Sequence, residues 1–207
     1  MKNYSYIGIS FVILLFGIWS VPKIIDYFQK PDFFISGQVP EFSFTNQYNK
    51  TITNDDFKDK VYVIEFFFTT CPSICPIMNQ NMQLLEKEFY GNLNFGIASF
   101  TINPEYDTPE VLKNYAESYG VTHPNWHFLT GDKEAVYKLS NEGFLLYTAE
   151  EAAAPGGFEH SGLFALIDQQ GNIRSRKDPS GNPKIYYNGL DKAEIQMLKE
   201  DIKKLLK

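Results

Sequence analysis

The chain has 207 residues, 43% of them hydrophobic, including 18 Phe and 13 Tyr; this suits one domain plus an appendage and is ample for a packed core. Its net charge is −6 and its arginines are Arg174 and Arg176 alone, so no basic patch is available and nucleic acid is not an expected partner. Two cysteines, Cys71 and Cys75, are too few for a disulfide scaffold, and their closeness points to a metal or redox pair.

Residues 1–5 are short and polar and carry Lys2. Residues 6–21 are apolar apart from Ser10 and Ser20. That run is slightly short for ~30 Å of hydrocarbon, but Ile24, Ile25, Tyr27 and Phe28 extend it. Tyr4, Tyr6, Trp19 and Tyr27 suit interfacial belts. Ser20-Val21-Pro22 is a poor cleavage site, and no cysteine follows the run for lipidation. A run that is apolar all round argues against a helix buried in the body. Residues 1–28 therefore read as an uncleaved signal-anchor, a transmembrane helix with its flank. Lys2 on one side and Lys23 and Lys30 on the other give a thin charge bias. A short N-terminal tail usually stays in the cytoplasm. The body is then expected to face the periplasm or its extracytoplasmic equivalent from the inner membrane. Residues 29–37 read as a tether and 38–207 as one domain.

Residues 39–45 alternate as an edge strand does, and 53–57 suit a short capped helical turn. Residues 61–68 are almost continuously apolar, which predicts a strand buried on both faces. The cysteine loop follows. A helix is predicted from Pro76 to Phe89, with Ile77, Met78, Met82, Leu85 and Phe89 on its apolar side. Met78 and Met82 are thus expected to be core residues. Residues 93–102 predict a second buried strand. Asp107 caps a helix that has Pro109 in its first turn and stops at Gly120. Residues 126–130 predict a strand and 131–141 a helix. Residues 148–157, rich in Ala, Glu and Gly, read as a mobile loop leading to His160. His160 is expected to open a core strand through Asp168, with a hairpin at 169–172. A turn at 178–183, a short strand at 184–187 and an amphipathic helix at 191–206 complete the chain. This order is α/β, with a thioredoxin-like central mixed sheet flanked by helices.

The two thiols fall where a central strand ends and a helix begins, the edge where open α/β sheets bind ligands. Four residues apart, both can face one side of the helix start. A helix N-terminus stabilises thiolate, so the geometry serves metal binding and disulfide exchange alike, and spacing alone does not decide. A loop that ends in a histidine, His160, is what a soft-metal site would recruit. Two thiolates and one imidazole suit copper, Cu(I) above all. The alternative is a strand-start histidine bonded to a carbonyl. His123 and His127 belong to a turn-and-strand segment with no link to the cysteines. Glu65 is the odd charge inside an apolar strand.

Four segments in this order resemble the Sco/SenC family: Cys71-Pro72-Ser73-Ile74-Cys75-Pro76; Ile102 through Glu110, with Asn103-Pro104-Glu105 and Asp107-Thr108-Pro109; Trp126-His127-Phe128-Leu129-Thr130-Gly131; and His160 ahead of Phe164-Ala165-Leu166-Ile167-Asp168. The similarity covers about 38–206. It implies a thioredoxin-like fold on a membrane anchor, with copper held by Cys71, Cys75 and His160. It also implies a role in building the binuclear copper site of cytochrome c oxidase. The implied partners are the copper-accepting oxidase subunit and a further copper carrier. Three positions depart from the family's usual pattern: Ser73 and Asn103 stand where Asp is usual, and Thr70 where His is frequent. Ser73 removes a negative charge beside the metal.

The leading expectation is a copper-binding assembly protein and not a turnover enzyme. The second is a thiol–disulfide oxidoreductase in which Cys71 attacks and Cys75 resolves. A thiol peroxidase ranks third, because both arginines lie far along the chain from the cysteines.

Overall fold

The computed structural model describes residues 5–28, 33–178 and 180–207; Lys2, Tyr4 and Lys30 lie outside them, and side chains are described over 8–21 within the first segment. The chain divides into a unit at Met1–Asp32 and a second at Phe33–Lys207.

The first unit holds helix α1, Ser5–Phe28. Its large apolar side chains between Ile9 and Val21 are exposed on all sides. Among the described residues no helix is long and apolar enough to cross a membrane.

The second unit opens with β1, Phe34–Gln38. This lies inside the stretch read as a tether. Phe34 and Ile35 pair with a strand far along the chain, so the body starts earlier than the polar composition of 29–38 indicates. Then come β2 (Ser43–Asn46), β3 (Thr51–Thr53), a 3₁₀ turn at Asn54–Phe57 and β4 (Val61–Phe67). α2 (Cys75–Glu88), β5 (Phe95–Thr101), α3 (Pro109–Ser118) and β6 (Trp126–Thr130) follow. α4 (Lys133–Lys138) runs on into a π-helical turn at Leu139–Gly143. β7 (Thr148–Glu150), β8 (Phe158–His160), β9 (Leu163–Ile167), β10 (Asn172–Ser175), β11 (Tyr187–Asn188) and α5 (Lys192–Leu205) end the chain.

Among the described residues, one mixed sheet runs β1-β10-β9-β4-β5-β6-β2-β3, and β11 adds to β9. β4, β5 and β6 are parallel, while β9 lies antiparallel to β4 on its other side. Every residue of β4 and of β5 is buried, Glu65, Ser99 and Thr101 among them, in strands that are otherwise almost wholly apolar. Helices α2 and α5 pack together, and α5 packs on β4. Phe42 and Phe44 both meet Phe100 edge-on with ring centroids 5.3 Å apart. Burial of each such ring contributes roughly 1.5–3 kcal/mol. Met78 and Met82 are fully buried in this core, as their helical spacing predicts.

Residues 148–157 are not a free loop. β7 and β8 pair as a separate two-stranded hairpin, with Thr148 opposite His160. The composition hid this because the pairing is anchored by side chains. Asn141 receives the Thr148 N–H at 2.8 Å and donates to its carbonyl at 3.0 Å, and the Ser140 and Thr148 hydroxyls meet at 2.7 Å. His160 accordingly closes β8 and does not open β9, which starts at Leu163 after Ser161 and Gly162. The predicted strand at 184–187 is displaced to β11 at Tyr187–Asn188.

Candidate metal centre

β4 ends at Phe67, beside Ile102 N–H, which donates to its carbonyl at 2.8 Å. The chain then leaves the sheet through Phe68-Thr69-Thr70 and reaches Cys71, whose N–H donates back to the Phe68 carbonyl at 3.2 Å. α2 begins at Cys75 with Pro76 in its first turn, and its N-cap residue Ile74 offers no side-chain bond. A helix start without a side-chain cap leaves N–H groups for another acceptor. The backbone groups of Cys75 and Ser73 serve Cys71 in this way.

Sequence reasoning singled out three residues, and the fold brings them together. The donor atoms of Cys71, Cys75 and His160 lie within 4.8 Å of one another. His160 Nε2 is 3.2 Å from Cys75 Sγ and 4.0 Å from Cys71 Sγ. The other ring nitrogen, Nδ1, is 3.2 Å from the Ser161 carbonyl. A carbonyl only accepts, so Nδ1 carries the proton and the Nε2 lone pair faces the sulfurs. The Phe68 ring meets the imidazole edge-on at 5.6 Å and fixes its plane. A pocket of about 400 Å³ opens beside these groups, bounded by Ser73 and Ile74 on one side and Glu151 and Pro155 on the other.

The two thiols are free and share one favoured charge. A hydrogen bond from Cys75 holds the Cys71 thiol well below its ordinary value; burial opposes this, and the Cys75 and Ser73 backbone assist. The same pairing, with burial, pushes Cys75 up. The pair therefore holds one thiolate, seated on Cys71, and the second proton must leave before both sulfurs can bind an ion. Ser73 places its hydroxyl 3.6 Å from Cys71 Sγ. A neutral donor there supports the thiolate, whereas the carboxylate usual in the resembled family would repel it. Two thiolates and an imidazole fit a soft cation, Cu(I) in particular.

The other histidines stay apart. His127 Nδ1 meets the Asn46 amide at 3.2 Å, and His123 accepts the Asn125 N–H. Glu65 is fully buried in β4, where Ser99 donates to one oxygen at 2.7 Å and the other has no partner among the described residues. Burial pushes its carboxyl up to about 7, against the Ser99 bond.

One residue was misread. Asp107 does not cap α3; the Thr108 hydroxyl does, accepting from Val111 N. Asp107 is instead buried and receives Thr69 and Thr101. The signal was available: Thr108-Pro109 already supplies a cap and a first-turn proline, so Asp107 was spare.

A model of the SCO1/SenC family matches residues 36–193. The chain is 31% identical over 171 residues to the SCO1 protein homolog of Bacillus subtilis strain 168, covering 80% of this chain and 81% of that one. It matches the crystal structure of a SCO1/SenC family lipoprotein from Bacillus anthracis strain Ames with a TM-score of 0.72 and 30% identity, over 86% of this chain and 99% of the other. BsSco, a Sco-family cytochrome c oxidase assembly protein in which a disulfide switch has been identified, matches with a TM-score of 0.70 and 28% identity, over 86% and 98%.

Proposed function

The chain belongs to the SCO1/SenC family, and from that premise we propose that it is a membrane-tethered copper carrier that delivers copper to, or prepares, the binuclear copper site of cytochrome c oxidase. The observation that carries this reading is the meeting of the Cys71, Cys75 and His160 donor atoms within 4.8 Å at the sheet edge. Cys71, already favoured as thiolate, and Cys75, once its proton has left, hold Cu(I) as cargo. The lone pair of His160 Nε2 completes the set and helps retain the oxidised ion. Copper leaves by exchange onto the cysteines of the accepting oxidase subunit, and a further copper carrier supplies it. BsSco's role in oxidase assembly supports the oxidase part of the reading. The anchoring part rests on the sequence, on the apolar run at 6–21, with residues 1–28 as anchor and flank and the folded body, which already includes β1 at Phe34–Gln38, as the working domain at the extracytoplasmic face. The lipoprotein nature of the B. anthracis relative supports a membrane-attached body.

The test is a titration of the reduced full-length chain in detergent with Cu(I) and Cu(II) against a competing chelator. One tightly held copper per chain is expected, with the Cu(II) signal lost in His160→Ala. A chain that yields all its copper to a moderate chelator while exchanging disulfides rapidly overturns the reading.

That outcome would favour the second reading, a thiol–disulfide oxidoreductase, which the low Cys71 thiol supports. Cys71 thiolate attacks a partner disulfide, a mixed disulfide forms and a partner thiolate leaves. Cys75 then attacks the Cys71 sulfur, closing Cys71–Cys75 and releasing the second partner thiol. Peroxidase chemistry has no support: Arg174 pairs with Asp168 and Arg176 with Asp201, and neither lines the pocket.

A further inference from the structure

We infer that Asp107 is the positioning residue of the cysteine loop: its buried carboxylate fixes the corner at which the chain leaves β4, and through Thr69 it sets where Cys71 stands. The inference deepens the copper reading and rests on it for one of its two measurements.

Three donors converge on this carboxylate. Thr69 N–H reaches Oδ2 at 3.1 Å, the Thr69 hydroxyl donates to Oδ1, and the Thr101 hydroxyl donates to Oδ2. Asp107 itself has no exposed surface. Thr69 lies two residues before Cys71, beyond the end of β4 at Phe67, where no ladder partner remains for its N–H. An N–H shielded from water needs an acceptor, so the carboxylate stands in for the missing strand. Thr101 ends β5 and also accepts the Asn103 N–H at 3.1 Å. The cysteine corner is thereby tied to the end of the neighbouring parallel strand, not merely to its own loop. Burial raises the Asp107 carboxyl, while the Thr101 and Thr69 bonds oppose that rise. Asp107 touches neither sulfur in any hydrogen bond; it acts through Thr69. No cap role competes, since Thr108 fills it.

Asp107→Asn keeps the shape but replaces one acceptor oxygen with a donor NH₂. The NH₂ can only donate, so the Thr69 hydroxyl has to turn from donor to acceptor, and the charged acceptor that held the corner is lost. Two quantities are measured on the full chain below its melting temperature. Cu(I) affinity, by chelator competition, is expected to fall about 10–100-fold, the range for losing a group that orients a ligand, with one copper per chain and unchanged far-UV circular dichroism. Alkylation of Cys71, 7% exposed in the parent, is expected to speed up several-fold. A merely structural role would lower the melting temperature and leave both quantities within twofold of the parent, which overturns the inference. Should Asp107→Asn fail to fold, Thr69→Val decides: it keeps the N–H tie and loses the hydroxyl. A smaller change in the same direction supports the inference, and no change in either quantity overturns it. Should the parent hold no copper, the copper reading fails by itself and the alkylation rates alone judge Asp107.

Discussion

Cys75 is rooted in the core, whereas His160 is carried by a hairpin outside it. The cysteine half sits between β4, buried along its whole length, and α2, whose Met78, Met82 and Leu85 are fully buried. The histidine half is two strands of three residues each, off the main sheet. It is held by the Asn141 and Ser140 bonds to Thr148, and by Phe158 against Phe68 at 5.1 Å. Local opening is drawn from segments with few buried contacts. The two sulfurs thus form a fixed pair, and the third donor rests on a support outside the main sheet.

The largest expected effect comes from breaking the fixed half. Cys75→Ser should end equimolar Cu(I) retention in a chelator competition, a loss beyond the 10–100-fold typical of an outer group. Retained stoichiometric binding would mean that the pair is not the core of the site.

His160→Ala breaks only the peripheral half. Cu(II) binding, read by its visible absorption and electron paramagnetic resonance, should vanish, while Cu(I) affinity stays within about tenfold because the thiolates are the soft donors. Equal loss of both oxidation states would join the halves into one unit.

Gly156→Ala sharpens the comparison without touching a donor. At φ +79°, its added Cβ would lie 2.8 Å from Phe68 Cε2 and 3.1 Å from Pro72 Cδ. The hairpin tip has to lift from the cysteine loop. Thermal melts should show a cost of about 1 kcal/mol or more, and Cu(II) affinity should fall while Cu(I) affinity barely moves. A variant with both affinities unchanged would show that the tip does not set His160.

Glu65→Gln should have the smallest effect on copper and a clear one on pH dependence. The folded carboxyl titrates at about 7, above the usual 4.5. The parent is therefore most stable with Glu65 neutral, below about 4.5, and loses stability as pH rises through 7. That loss amounts to a few kcal/mol at 1.36 kcal/mol per unit. Denaturant melts of Glu65→Gln should show a flatter profile between pH 5 and 8. An unchanged slope would mean that the buried carboxyl is not the group responsible.

The cysteine half was largely legible in the sequence, because a buried strand, two thiols and an apolar helix face each leave a local pattern. The hairpin was not. Its strands are short, and the groups that order them, Ser140 and Asn141, lie before the segment in a helical turn. The tether was misjudged for a related reason: Phe34 and Ile35 find their partners, Ser175 and Arg174, only through β10. Asp107 was visible but wrongly assigned, since its partners Thr69, just past the end of β4, and Thr101, at the end of β5, are ones that sequence alone does not place side by side. Long-range pairings carry no local mark.

Cys75 and His160 stand 85 residues apart in the chain. Closing a loop of that length costs chain entropy that only long-range contacts offset. During synthesis, the two thiols emerge well before the imidazole that faces them. A cation captured early would meet sulfur alone, and the three-donor site would exist only once the hairpin has docked. Binding at the complete site then favours the folded chain by mass action, so a bound cation and the docked hairpin stabilise each other.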